Sequence, residues 1–231
     1  MRRRLGNVGI WVANILLVAF LLGPAAPLRP PLAALGLHLP SWPIANVALS
    51  FVAGFLLLDL LRYAVHRCEH AVPLLWRIHA LHHSDPDVDV TTSLRHHPFE
   101  YVLASFVYWL AILVLDIPLL VVASYGAIVL ASEAVQHGNI SLPERLERWI
   151  QPLLVTTDMH RIHHSLSPAQ ANANYGAVLS VWDRLFGSYV WITRADHQAL
   201  TFGVRELRRR DCLYPSMMIR TPWLVSGAGT P

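Results

Sequence analysis

The sequence predicts an all-α integral membrane domain of about four spanning helices with a cytosolic helical cap, and three observations carry that expectation. Of the 231 residues, 54% are hydrophobic and only 14% are charged, against about 25% charged in an ordinary soluble domain. The apolar residues gather into four runs, each close to the minimum length for crossing a bilayer as a helix. The arginines are distributed very unevenly among the loops that join those runs.

The first run, Leu5 to Leu22, follows Arg2, Arg3 and Arg4 and reads as a transmembrane helix. A cleaved leader is its rival, with small residues at Gly23, Ala25 and Ala26, but Pro24 and Pro27 crowd any cleavage site. Residues 24 to 43 hold six prolines and read as a loop or shallow interfacial segment. The second run, Ile44 to Leu61, closes at Asp59 and Arg62, which mark its expected aqueous boundary. Phe99 to Leu115 and Leu119 to Val135 are separated only by Asp116, Ile117 and Pro118. So short a joint containing a proline predicts an antiparallel helical hairpin. With the N-terminus in the cytoplasm, the loop 24–43 lies outside and carries Arg29 alone, while the other seventeen arginines fall inside. That topology puts residues 62–98 and 136–231 at one face.

The net charge of +3 comes with eighteen arginines and no lysine, and it does not suggest a nucleic-acid groove. Cys68 and Cys212 form neither a disulfide framework nor a Cys-x-x-Cys motif. Histidine is the outlier: thirteen are present, eleven of them between His66 and His164. His66 and His70 are four residues apart, so on a helix they share one face. His79, His82 and His83 are spaced i, i+3 and i+4, and His160, His163 and His164 repeat that spacing beyond the hairpin.

Eight imidazoles exceed what one metal ion accepts but suit two ions with open positions left over. Without metal, so many potentially cationic groups would repel one another or be forced neutral. Imidazole suits zinc, copper, iron and nickel alike, so spacing names a dinuclear site and leaves the element open. The site would sit in the cap.

At these residues the chain resembles the fatty acid hydroxylase and sterol desaturase superfamily of membrane histidine-box di-iron oxygenases. The resemblance rests on His66-x3-His70, His79-x2-His82-His83 and His160-x2-His163-His164 in that order around an apolar hairpin. Arg95 to Glu100, Asp158 to Arg161, Asn174-Tyr175-Gly176 and Trp182 to Gly187 are similar to companion motifs of the superfamily, with Ser188 standing where a threonine is usual. It covers roughly residues 50 to 190. It implies two non-haem irons, with zinc as an adventitious substitute, held by His66, His70, His79, His82, His83, His160, His163 and His164. It further implies activation of O2 and hydroxylation of an alkyl carbon in a fatty acyl, sterol or other isoprenoid substrate, or desaturation at the same site.

The chain then divides into a first helix and proline-rich loop (1–43), a catalytic domain resembling the superfamily (44–192), and a cytosolic C-terminal tail (193–231). His137, after the fourth run, is expected as a ninth ligand. His97, Glu69, Asp158 and Asn174 are expected to orient or position ligands. Cys68 is expected to be packed, and Trp149, Trp182 and Trp191 to anchor at the interface. His38 and His197 read as solvent or interface residues, and Arg208, Arg209 and Arg210 as facing anionic lipid or solvent. The expected partners are membrane lipids, the lipid-like substrate, O2 and a ferredoxin- or cytochrome b5-like electron donor, in a prokaryotic inner membrane. A metal transporter is a rival from another class, but transporters place their ligands near the bilayer midplane, whereas these histidines lie beyond the apolar runs. A metal-stabilised scaffold without turnover is the third reading.

Overall fold

In a computed structural model, residues 1–23, 34–36, 46–207 and 214–226 are described. The proline-rich loop lies outside them apart from residues 34–36, as do His38, Arg208, Arg209, Arg210 and Cys212. The described residues form helices and turns with two isolated β-bridges and no strand.

Four helices are long and apolar enough to cross a membrane: α1 (Arg2–Leu22), α2 (Val47–Ala71), α4 (Pro98–Leu115) and α5 (Leu119–Gln136). Helix α3 (Pro73–His83) lies between α2 and α4. At 1.5 Å per residue, the 21 residues of α1 reach about 31 Å, close to the hydrocarbon thickness of a bilayer. The Asn46 side chain caps α2 by accepting from the Ala48 and Leu49 amides at 3.0 and 3.1 Å. Helix α2 ends at Val72 because Pro73 disfavours helical geometry in the residue before it, and Pro73 then starts α3. In the joint between α4 and α5, Asp116 takes a left-handed conformation (φ 53°) and the chain reverses. Residues 101–108 and 126–133 consequently line a common space in opposite order.

Helices α2 and α5 meet around Leu58, Val121 and Tyr125, joined by Ile117. Gly54 permits the approach, since a Cβ there would stand 2.7 Å from Val121 Cγ1. Small residues serve this purpose between membrane helices, where apolar burial against lipid contributes little.

Asp59 and Arg62 are not an aqueous boundary. The helix continues to Ala71, and Asp59 is fully buried. Its carboxylate accepts from Tyr125 Oη at 3.1 Å, the Val178 and Leu179 amides at 3.2 and 3.1 Å, and Trp182 Nε1 at 2.9 Å. Trp182 is therefore tied to α2 through its indole N–H and is not a free interfacial anchor. Arg62 donates to Glu133 on α5 at 2.6 Å. Cys68, expected to pack, is exposed.

The first helix is fastened to the rest by a polar stripe. Asn7 and Asn14, seven residues apart on one face, are both fully buried. Asn14 donates to the His96 carbonyl at 2.9 Å and Asn7 to Thr91 Oγ1 at 3.1 Å, while Arg95 donates to Asn7 at 3.0 Å. Arg3 pairs with Asp85 and Asp89. The C-terminal segment packs as well: Val204, Leu207 and Val225 cover Trp76 and Ala80 of α3, and Met218 meets Ile10 and Leu81. Its described parts thus pack against α1 and α3.

Between α5 and that segment lie the short helices α6 (Glu144–Ile150), α7 (Thr157–His163), α8 (Pro168–Ala171), α9 (Val181–Leu185) and α10 (Arg194–Gln198). Thr156 caps α7 by accepting from the Met159 amide at 3.3 Å.

Candidate metal centre

All eight box histidines converge, and His137 joins them. They form two groups, within each of which one ring nitrogen per residue lies within 4.8 Å of all the others: His66, His70, His79, His83 and His163 in one, His82, His137, His160 and His164 in the other. Helical geometry explains the division. On α3, His79 and His83 are i and i+4 and serve the first group, while His82 at i+3 is rotated toward the second. On α7 the roles exchange: the i, i+4 pair His160 and His164 serves the second group and His163 the first. The groups adjoin, with the His83 and His164 rings stacked 4.6 Å apart.

The outer nitrogens show which way the inner ones face. Nδ1 of His66 donates to the Tyr175 carbonyl at 2.9 Å, that of His163 to the Ala173 carbonyl at 2.7 Å, and that of His137 to the Glu133 carbonyl at 2.8 Å. Those bonds fix the Nδ1–H tautomer and leave Nε2 as a lone pair aimed inward. Nε2 of His66 and of His163 are indeed buried without a hydrogen-bond partner. Inner nitrogens approach closely, His70 to His83 at 3.1 Å and His137 to His160 at 2.9 Å. Convergent buried lone pairs fit a cation between them. Burial, reinforced by neighbouring imidazoles, holds His82, His83, His160, His163 and His164 well below the usual histidine range. Burial likewise brings His137 down to about 4. Neutral imidazole is the form that donates to a metal.

The positioning residues differ in part from expectation. Glu69 stands 3.6 Å from His79 Nδ1, whereas Glu100 Oε1 accepts from that atom at 2.9 Å and is also 2.6 Å from His96 Nδ1. Burial disfavours charge on His96, but the Glu100 carboxylate beside it raises its pKa on balance. His96 also stacks on His82, 4.6 Å away and nearly parallel. The His96-x3-Glu100 spacing is the sequence signal for this pair. His97 instead caps α4: its Nδ1 accepts from the Phe99 amide at 3.2 Å and its Nε2 donates to the Ile219 carbonyl at 3.0 Å. It positions a helix and the C-terminal segment, with both ring nitrogens engaged away from the imidazole groups. Asp158 is partly buried in the first turn of α7, and no bond from it to a ligand imidazole is found among the described residues. Asn174, at φ 57°, donates to the Met159 and Val190 carbonyls and accepts from the Val190 amide, so it secures the backbone of α7. Asn172, absent from the sequence-based set, lies 3.3 Å from His70 Nδ1 through its Oδ1.

Glu100→Gln should keep the shape of the side chain while weakening its bond to His79. A roughly 10–100-fold fall in metal affinity is expected, read by chelator competition on protein with unchanged helix content.

A cavity of about 340 Å³ opens beside the imidazoles and runs between α2, α4 and α5. Residues 51–188 match the fatty acid hydroxylase family. The chain belongs to that family. Among its relatives in the family, an ornithine lipid hydroxylase of Rhizobium tropici is 29% identical over 182 residues, covering 78% of this chain and 53% of that protein. An alkylglycerol monooxygenase of Xenopus tropicalis is 32% identical over 136 residues, covering 59% and 29%, and that of Homo sapiens 29% over 155 residues, covering 67% and 33%. The chain thus spans about half or less of the length of these family members. No solved structure gives a significant match.

Proposed function

We propose that the chain is a membrane-bound oxygenase that hydroxylates an alkyl carbon of a lipid-like substrate at two iron ions held by the two imidazole groups. The observation that carries this reading is nine histidines in two adjoining groups at the mouth of a cavity between apolar helices. Family membership and the two lipid-directed relatives support it.

In this reading His66, His70, His79, His83 and His163 would hold one iron, and His82, His137, His160 and His164 the other. When bound, the irons would supply the oxygen activation that attack on an unactivated carbon requires. The chain itself contributes alignment and a dry enclosure. The Tyr175, Ala173 and Glu133 carbonyls hold imidazoles in their donor tautomer, and Glu100 fixes His79. The apolar walls of α2, α4 and α5 admit an alkyl chain from the lipid phase and exclude water. Hydroxylation places one oxygen atom in the product and reduces the other to water with two electrons and two protons, so an external electron donor is required, and a ferredoxin- or cytochrome b5-like protein would supply it. The arginine asymmetry supports a site on the cytoplasmic face, and a prokaryotic inner membrane suits it.

The test is incubation of detergent-purified, iron-loaded protein with lipid extracts, O2 and a reducing system, with products read by mass. Gain of one oxygen is the expected result. Loss of two hydrogens would make the chain a desaturase at the same site, and a tightly bound metal with no oxidised product would reduce it to a scaffold.

A further inference from the structure

The cavity is not uniformly apolar. On α2, Arg62 precedes His66 by four residues, and on α5, Glu133 precedes His137 by four. The i, i+4 relation places each charge on the same helix face as its imidazole, about 6 Å farther toward the centre of the apolar run. The two charges are paired at 2.6 Å, and both line the cavity. On the third wall, the Tyr108 hydroxyl is buried with no hydrogen-bond partner, while the residue lines the same space. Ionisable groups inside a membrane helix are costly, and where they persist they commonly serve a substrate or ion path. An unpaired buried hydroxyl is costly too, by an amount that a ligand's polar atom would recover.

Resting on the oxygenase reading, we propose that Arg62, Glu133 and Tyr108 form a polar subsite that receives an oxygen function of the substrate. Its class would be hydroxyl, ester or amide. The ion pair lies one helical turn from His66 and His137, so an oxygen held there is brought close to the imidazoles. The cavity would house the functionalised end of a lipid, with its oxygen on the Arg62, Glu133 and Tyr108 side chains. The rival reading of the ion pair is a purely structural tie between α2 and α5. That reading assigns nothing to the Tyr108 hydroxyl.

The experiment measures equilibrium binding of radiolabelled 1-hexadecanol and of hexadecane to detergent-purified protein, for the wild type and for Tyr108→Phe. The two probes differ by one hydroxyl, and partition into detergent cancels when the proteins are compared. Removing an unpaired hydroxyl should leave thermal stability unchanged or slightly higher, so folding does not confound the result. Hexadecanol affinity should fall about two- to tenfold, the worth of one hydrogen bond, with hexadecane unaffected. An unchanged ratio of the two affinities would overturn the subsite. Because the readout is binding, an altered ratio in a protein that yields no oxidised product would keep the subsite and remove the oxygenase reading.

Discussion

His163→Ala and His82→Ala should each abolish turnover, and they should do so with different metal contents. His163 is one of five imidazoles in the first group, and four would remain there. His82 is one of four in the second, which would be left with three. With its imidazoles cut from four to three the second group binds less tightly than before, so His82→Ala is expected to retain about one metal ion per chain after dialysis against a mild chelator. His163→Ala is expected to begin near two and fall toward one as the chelator strengthens. The double variant should hold about one under the mild chelator and fall below one as the chelator strengthens. Elemental analysis of detergent-purified protein measures all three. A double variant that kept its full metal complement would show that the metal lies elsewhere.

The second large effect is on stability. Asp59→Ala removes the acceptor for four donors, three from the segment 178–182 and one from α5. Each donor left buried and unpaired costs about 1–3 kcal/mol, so the total is about 4 kcal/mol or more, against about 5–15 kcal/mol for a whole domain. The variant is expected to be recovered mostly aggregated. Asp59→Asn is the informative partner. Oδ1 accepts from Tyr125 and Val178, and Oδ2 from Leu179 and Trp182. An amide retains one oxygen and turns its own N–H groups on the other two donors. It should lose about half as much, read as the shift in thermal midpoint in detergent. Asp59→Asn indistinguishable from wild type would contradict this role.

Asp59 also shows where sequence reasoning stopped. Hydropathy treats a charge at the end of an apolar run as the point where the chain meets water, because a lone sequence holds no partners for it. Three of its four partners stand some 120 residues away and the fourth 66, beyond the reach of any local pattern. The box histidines were legible for the opposite reason. Spacings of three and four within a helix are local, and the short hairpin returned the chain to the face it had left. The split into five and four was not legible, since it depends on how α3 and α7 are rotated against each other. The seven-residue spacing of Asn7 and Asn14 in an apolar helix acquires meaning only once residues 91–96 lie against them. Glu100 was read as part of a motif, and the imidazole it bonds, His79, is 21 residues earlier.

The two groups are also completed at different points along the chain. Four of the first group's histidines emerge by residue 83, whereas the second group has only His82 and His137 until α7 is made. The first group is thus four-fifths complete well before the second is half complete, with α7 still to come. Truncation ahead of residue 160 would leave four of the first group's five imidazoles and two of the second group's four.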